Sequence, residues 1–468
     1  MCGIFGVFNH KSAAEITFLG LHALQHRGQE SAGIAVSDGY DINIKLGTGL
    51  VTQAIKEEDI KELKGDIAIG HVRYSTSGGS NIKNIQPFFA HFYGGQFAIA
   101  HNGNLVNAER LKKELEMEGA IFRSTSDTEV FVHLIAKARQ PAPAHINLHK
   151  NDEDFLPHIF EAMKKVKGAY SLVILREKQL IAVRDPHGFR PLVLGKNRTG
   201  SYFVASETCA LDIVDAEYLR DINPGEVLVI DDAGIRSYYP FEYTENPKKC
   251  IFEFIYFARP DSKIFKEWVY SIRKEFGKRL AKEYPIDADC VVPVLDSGLL
   301  AAMGYSEESG IPFEIGLIRN HYVGRSFIQP SQEIRDLSVR LKLNPVRDVI
   351  EGKRIIVIDD SIVRGTTSKK IVNMLRKAGA KEIHMLISSP PVISPCYYGI
   401  DTPTKEELLA SQMSVEEIRR FIGADTLGYL SLEGMLEVAN KSKGFCTACF
   451  TGNYPVLDEF FEEEIKIL

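Results

Sequence analysis

Four aliphatic residues in a row, Ile355-Ile356-Val357-Ile358, run directly into Asp359-Asp360-Ser361-Ile362-Val363-Arg364-Gly365-Thr366-Thr367-Ser368. A strand that is apolar at every position has no face to offer water, so it belongs in the middle of a parallel sheet covered on both sides. Parallel strands need crossover connections, and the polar stretch followed by a helix expected from about Lys369 to Ala378 is one of them. Lys381 to Ile387 reads as the next strand, Cys290 to Val294 as an earlier one, and Trp268 to Tyr284 as an amphipathic helix. Sheets of this kind hold ligands at the carboxyl ends of their strands, where the polar stretch lies. Arg364, Gly365, Thr366, Thr367 and Ser368 offer glycine, hydroxyls and helix-terminal N–H groups, a cradle for a phosphate monoester. Asp359 and Asp360 can accept from two sugar hydroxyls or help position Mg²⁺. A plain acidic surface loop would not follow four buried aliphatics and end in Gly-Thr-Thr at a helix start.

The first half of the chain follows a different pattern. Short apolar strands, among them Ile67 to Val72 and Phe97 to Ala100, each run into a polar segment expected to be a turn: Arg73-Tyr74-Ser75-Thr76 and His101-Asn102-Gly103-Asn104. Helices are expected at Ala108 to Glu118 and at Asp127 to Arg139, the second introduced by Ser126-Asp127-Thr128-Glu129 with the spacing of a capping box. Closely spaced strands follow at Ser171 to Leu175, Leu180 to Arg184 and Pro191 to Leu194. This succession predicts two sheets packed between helix layers, an αββα sandwich.

Chemistry begins at residue 2. Removal of Met1 would leave Cys2 with a thiol and a free α-amine, whose reference pKa of about 7.7–8.0 suits a base near neutral pH. An acyl-transfer nucleophile also needs donors for the developing oxyanion, which Asn102 and Gly103 can supply from an exposed turn. Arg73 offers a fork for a substrate carboxylate and Asp127 a counter-charge for its ammonium. Each has a plain reading alone: an inert cysteine, a turn, a surface ion pair, a helix cap. Together with Cys2-Gly3-Ile4-Phe5-Gly6, Leu24-Gln25-His26-Arg27-Gly28-Gln29 and Gly70-His71-Val72-Arg73-Tyr74 they resemble the N-terminal-nucleophile glutamine amidotransferases. The resemblance implies attack by Cys2 on the glutamine side-chain amide, a glutamyl thioester and released ammonia. It assigns the oxyanion hole to Asn102 and Gly103, and the substrate's α-groups to Arg73 and Asp127.

The Asp359–Ser368 stretch resembles the phosphoribosyl-diphosphate (PRPP) binding motif of the phosphoribosyltransferases. That implies ribose hydroxyls and the surroundings of Mg²⁺ at Asp359 and Asp360, and the 5-phosphate at Arg364, Gly365, Thr366, Thr367 and Ser368. It also implies a pyrophosphate-side loop at Asp296-Ser297-Gly298, with Ser297 near Mg²⁺. That family often has Pro where this chain has Leu295. Arg319 to Arg335, rich in charge, glycine and aromatics, reads as a lid closing over PRPP to exclude water; relatives commonly have Lys where Arg319 stands.

Taken whole, the chain resembles the amidophosphoribosyltransferase family: an amidotransferase domain over 2–240, then a phosphoribosyltransferase domain over 241–468 with an α/β parallel sheet. The resemblance implies that glutamine, PRPP and water become 5-phosphoribosylamine, pyrophosphate and glutamate, the first step of de novo purine synthesis. It further implies an apolar ammonia channel, inhibition by purine nucleotides and a homotetramer. Two other readings are weighed against it. A glutaminase half serving another acceptor does not explain the Asp359–Ser368 motif. A silent sensor of PRPP or nucleotides has no need of a nucleophile.

Seven cysteines in 468 residues are too few and too scattered for a disulfide scaffold. Cys446 and Cys449 form the C-x-x-C pair, and Cys250 and Cys396 lie far off in sequence. Zinc, an iron–sulfur cluster, a redox pair and inert thiols are all open from spacing. The family resemblance implies a structural [4Fe–4S] cluster on Cys250, Cys396, Cys446 and Cys449, the mark of one branch. Cys209 and Cys290 read as small buried residues, His187 as part of a turn, and Glu459 to Glu464 as a solvated helix face. With Lys plus Arg at 56 and Asp plus Glu at 62, the net charge of −6 gives no support to nucleic-acid binding. No apolar run of about 18 residues suggests a membrane span, and no secretory signal is evident, so a cytoplasmic enzyme is expected.

Overall fold

A computed structural model describes residues 1–74, 81–139, 141–241, 246–320, 343–439 and 444–458. The expected lid beyond residue 320, Ser75 and Thr76, and the Glu459–Glu464 tail lie outside the described residues.

Two antiparallel sheets form the first half. The seven-stranded sheet runs in the order Glu217–Asp221, Val193–Lys196, Tyr202–Ala205, Gly3–Phe8, Ile67–Arg73, Ser31–Ser37, Ile42–Thr48. The six-stranded sheet runs Gly234–Tyr238, Val227–Asp231, Leu180–Arg184, Gly168–Leu175, Gly95–Leu105, Phe88–Phe92. Their inner faces meet through Ile4, Ile69, Ala98, Val173, Leu180 and Leu228. The helix Ala13–Ala23 covers the outer face of the first sheet, and Thr128–Lys137 and Leu156–Lys165 cover that of the second. These are the layers expected from the sequence, because strands buried on both faces must be apolar at nearly every position, as Gly3–Phe8 and Gly168–Leu175 are.

Two local expectations fail. Residues His101-Asn102-Gly103-Asn104 are no turn: the strand Gly95–Leu105 continues through them, pairing Asn102 with Ser171 and Gly103 with Tyr170. Asn-Gly signals a turn when water can take its polar groups. Here they are buried and held by tertiary partners, with His101 N donating to Gln86 Oε1 at 2.8 Å and its Nδ1 meeting Thr128 Oγ1 at 3.1 Å. Glycine is needed at 103 because a Cβ would lie 2.0 Å from Ala169 O. The capping box also fails. The Glu129 carboxylate accepts from Arg123 N, Ser124 N and Ser124 Oγ at 2.6–2.8 Å, while Ser126 Oγ accepts from Thr128 N.

In the second half a four-stranded parallel sheet runs Cys290–Pro293, Arg354–Asp359, Glu382–Ile387, Thr426–Tyr429. Helices Val269–Glu283 and Leu299–Ser309 pack on one face through Phe276, Leu280 and Ala302. Thr366–Lys377 and Val415–Ile422 pack on the other through Ile371, Leu375 and Ile418. The helix after the central strand begins at Thr366, three residues before the expected start. Gly365, at φ +69°, turns the chain into it, and Thr366 and Thr367 occupy the first turn, where N–H groups have no helical partner.

The halves are joined by buried charge. Glu253, fully buried in the turn Glu253–Phe257, accepts from Arg27 Nη2 at 2.6 Å and from Arg190 Nη1 at 3.3 Å. Glu207, equally buried, takes Arg27 Nε, His26 Nε2 at 2.7 Å, Ser262 Oγ at 2.7 Å and Arg259 N at 2.8 Å. The junction strand Lys249–Cys250 pairs in parallel with Phe445–Cys446. Among the described residues no helix is long and apolar enough to cross a membrane. Substituting Glu253→Gln removes a counter-charge shared by Arg27 and Arg190 and leaves Arg27 to Glu207 alone, and breaking buried pairs this way costs about 3–5 kcal/mol. A urea titration followed by tryptophan and far-UV signals is therefore expected to show a lowered midpoint for this variant.

Candidate active sites

Residue 2 enters the first site because Gly3–Phe8 is a central strand whose first residue pairs with Val72. Cys2 is buried, its Sγ lies 3.6 Å from Tyr74 O, and its N donates to Asn102 Oδ1 at 3.3 Å. The same asparagine has a buried Nδ2 with no hydrogen-bond partner among the described residues. Leaving such a donor unmet costs about 1–3 kcal/mol, a cost that persists most readily where a ligand will bring the acceptor. Gly103 follows on the same strand. The Asn102–Gly103 pair thus stands against Cys2, as the sequence suggested, though on a buried strand and not an exposed turn.

Arg73 closes the strand Ile67–Arg73, buried, with Nη1 4.0 Å from Glu30 Oε2. Asp127 precedes the helix Thr128–Lys137; its Oδ2 accepts from Leu105 N at 2.9 Å and its Oδ1 faces His101 Nδ1 at 3.6 Å. Burial pushes the Asp127 carboxyl up, but the charge and hydrogen bond of His101 and the Leu105 N–H hold it below the usual carboxylate range. It is a standing negative charge. Met1 still precedes Cys2 here, and burial pushes its own α-amine down to about 6. A free amine on Cys2 therefore requires that Met1 be gone. His71, driven down to about 3 by burial, is neutral and bonds His101 O through Nε2.

The sequence reading gave no structural role to Arg27, Arg190, Glu207 or Glu253. The Gln25-His26-Arg27-Gly28 motif was the available signal. Gly28 lets its loop lie against the strand Ile67–Arg73, since a Cβ there would come 2.6 Å from the backbone carbons of Val72 and Arg73. The Arg27 stem passes beside Gly3.

A second polar site sits at the carboxyl end of the parallel sheet. Asp359 ends the central strand, and Ser297 Oγ reaches its Oδ1 at 3.0 Å from the neighbouring strand's loop. Asp360 N donates to the same Oδ1 at 2.9 Å, and Ser361 Oγ donates to Asp360 Oδ2 at 2.6 Å. Gly365, Thr366, Thr367 and Ser368 form the turn and helix start above. Arg364 points away from them, its guanidinium 3.3 Å from Glu407 on the exposed rim. Arg319 pairs with Asp296 at the other edge. Burial and the adjacent Asp360 charge push the Asp359 carboxyl well above its usual range. Two acids, a hydroxyl and helix-terminal N–H groups form a site able to hold a cation beside a phosphate.

The four expected cysteines gather at the junction. Cys250 and Cys446 are register partners, Cys449 lies in the short turn Ala448–Thr451, and Cys396 Sγ accepts from Tyr398 N at 3.4 Å. Burial, then the charges of Cys250, Cys396 and Cys446, push the Cys449 thiol up; burial against the opposing charge of Arg190 takes Cys250 to about 11. Among the described residues no three His, Cys, Asp or Glu side chains are arranged around a single-ion position. Cys209 and Cys290 are buried in separate cores.

Residues 71–212 match the glutamine amidotransferase domain family, and residues 266–389 the phosphoribosyl transferase domain family. Amidophosphoribosyltransferase 2, chloroplastic, of Arabidopsis thaliana is 53% identical over 97% of this chain and 79% of its own length. The amidophosphoribosyltransferase of Methanocaldococcus jannaschii is 51% identical over 97% of this chain and 98% of its own. The solved glutamine PRPP amidotransferase of B. subtilis, complexed with ADP and GMP, superposes with a TM-score of 0.89 at 50% identity, covering 97% of each chain.

A carboxyl whose pKa is raised by folding stabilises the fold below its unfolded pKa and loses that contribution as pH rises through the raised value. Asp359→Asn removes the titration. It is expected to raise the urea midpoint above neutral pH, with a gain that shrinks toward pH 4, as denaturation at a series of pH values would show.

Proposed function

The chain belongs to the amidophosphoribosyltransferase family, and on that premise we propose a division of labour between its residues. The family's reaction, a glutamine amidotransferase coupled to a pentosyltransferase, is the first step of de novo purine biosynthesis. In our reading the first half, to about residue 240, releases ammonia and the second half spends it on PRPP. One observation carries the assignment: a buried amide donor without a partner, Asn102 Nδ2, beside the thiol of Cys2.

The α-amine left on Cys2 once Met1 is removed takes the thiol proton, and the sulfur attacks the glutamine side-chain carbonyl. Negative charge develops on the carbonyl oxygen, and Asn102 Nδ2 and the Gly103 N–H are the donors that meet it. Collapse of the intermediate breaks the C–N bond, the amine returns the proton, and ammonia departs. Water then cleaves the thioester to glutamate. Arg73 holds the substrate's α-carboxylate, and the lowered pKa of Asp127 suits it to the α-ammonium, because it stays charged at neutral pH.

In the second half, ammonia attacks C1 of the ribose and pyrophosphate leaves. The first turn at Gly365, Thr366, Thr367 and Ser368 binds the 5-phosphate, with Arg364 able to contribute only if it leaves Glu407. Asp359 and Asp360 orient the ribose hydroxyls. An all-oxygen donor set of Asp359, Asp360 and Ser297 fits Mg²⁺, which when bound neutralises charge on the departing pyrophosphate.

Three buried thiols and the half-buried Cys396 around one place fit a [4Fe–4S] cluster, which spaces its thiolates more widely than a single ion does. Cys250, Cys396, Cys446 and Cys449 would hold it as a structural clasp, binding it as thiolates at the junction of the halves. A thiol nucleophile and thiol ligands call for a reducing, cytoplasmic setting. Purine nucleotides as inhibitors and a homotetramer complete the reading. The ADP and GMP of the B. subtilis enzyme support the first.

The deciding measurement is glutamate release from glutamine with and without PRPP and Mg²⁺, on protein purified without oxygen. Strong stimulation by PRPP is expected; indifference would point to another acceptor. Cys2→Ala is expected to lose glutamine-dependent synthesis but keep synthesis from ammonia, and Asn102→Asp to lower glutamine turnover about 10²–10³-fold. Iron and sulfide analysis of the same preparation should give about four of each per chain, falling in Cys396→Ser.

A further inference from the structure

The peptide that carries Gly103 is held from two sides. On one side is its own sheet, where Ala169 O lies so close that no side chain fits at 103. On the other is a segment of the second half, residues 397–399. Gly399 has φ +98°, and a Cβ there would come 2.8 Å from the carbonyl carbon and oxygen of Gly103. Asn104 Nδ2 donates to Tyr397 O at 2.9 Å, and Arg190 donates to Tyr398 O through Nε at 3.0 Å and through Nη2. The Tyr398 ring stacks on Phe189 of the first half with centroids 4.3 Å apart, and its hydroxyl is fixed by Val456 O at 2.7 Å and Val456 N at 2.9 Å.

We propose that residues 397–399 of the second half position the oxyanion hole of the first, by backing the Cα and carbonyl of Gly103, the residue whose N–H meets the oxyanion, with Gly399 and by tying Asn104 to Tyr397. A peptide N–H serves a developing oxyanion only if its direction is fixed before the charge appears. Strand pairing secures Gly103 on one flank, and Gly399, lying against its Cα and carbonyl, secures the same residue on the other, which limits how its N–H can turn. Gly399 is the residue that allows the close approach, since its left-handed backbone and missing Cβ bring two main chains into contact. These residues touch no substrate. They are positioning residues, and the amidotransferase centre is incomplete without them. The proposal rests on the roles given above to Cys2, Asn102 and Gly103.

The test uses the full chain purified without oxygen, as parent, Gly399→Ala, Asn104→Ala and Cys2→Ala. For Gly399→Ala we expect kcat for glutamine hydrolysis to fall about 10-fold or more, with KM for glutamine within about twofold. Asn104→Ala should show the same split to a smaller degree. Alkylation of Cys2 by iodoacetamide and synthesis from ammonia should stay within about twofold of the parent in both, because neither depends on an oxyanion hole. A parental kcat in Asn104→Ala would overturn the proposal, whether Gly399→Ala is also parental or does not fold. So would a parallel loss of glutamine- and ammonia-dependent rates in both variants, which marks a general structural role. Cys2→Ala separates the failures: if it still hydrolyses glutamine, the reading of the first site falls, and if it is inert while the other variants match the parent, only the present proposal does.

Discussion

Buried charge at the seam between the halves is the constraint on which the other features depend. Arg27, Arg190, Glu207 and Glu253 all have side chains sealed from solvent. Burial disfavours each of these charges, yet Arg27 is held above its usual range by Glu253 and Glu207, and Glu207 well below its own by Arg27 and His26. Such a set tolerates no partial assembly, because removing one member leaves another charged and unpaired in a medium that cannot solvate it. Glu253 is the carboxylate that Arg27 and Arg190 share. The halves are therefore committed to one relative placement, more strictly than an apolar interface would commit them.

That placement ties the two sites into one connected structure. Arg273, on the first helix of the second half, donates to Phe254 O at 2.6 Å and to Ala258 O at 2.8 Å, and it feels the charge of Asp360. The turn it grips carries Glu253, which grips Arg27, whose stem lies beside Gly3. From the other direction the segment after Cys396 reaches Gly103 through Gly399. Contact thus runs from the first helix of the second half, through Glu253 and Arg27, to Gly3, and from the segment after Cys396 to Gly103. Glycine recurs in it for one reason. At 28, 103 and 399 main chain must touch main chain, and a methyl group would occupy the space.

Much of this was readable in advance where local pattern and burial agree. Ile355–Ile358 had to be an interior parallel strand, and the acids and Gly-Thr-Thr after it had to lie at a sheet end, because nothing else satisfies both compositions. The expected neighbourhood of the nucleophile came from the family resemblance of its motifs, because Cys2, Arg73, Asn102 and Asp127 each have a plain reading alone. What escaped was decided at long range. His101–Asn104 looks like a turn until Gln86, Thr128 and Ser171 take up its polar groups. Ser126–Glu129 looks like a capping box until the acid finds Ser124 first. Arg190 and Glu253, among the most deeply buried charges of the chain, carry no sequence pattern at all, since what makes them tolerable is each other.

The pairing of Lys249–Cys250 with Phe445–Cys446 spans roughly 200 residues, so on a ribosome adding about 5–20 residues each second the junction strand waits about 10–40 s for its partner. The sheets of the first half have been synthesised by then. Residues 397–399 have not been made for most of that interval, and the Gly103 peptide stands without its outer support. On the proposal above, the order of synthesis then acts as a safeguard: a nascent chain carries Cys2 long before Gly399 backs Gly103, and full glutamine turnover comes only after the Asp359–Ser368 loop of the second half has been made.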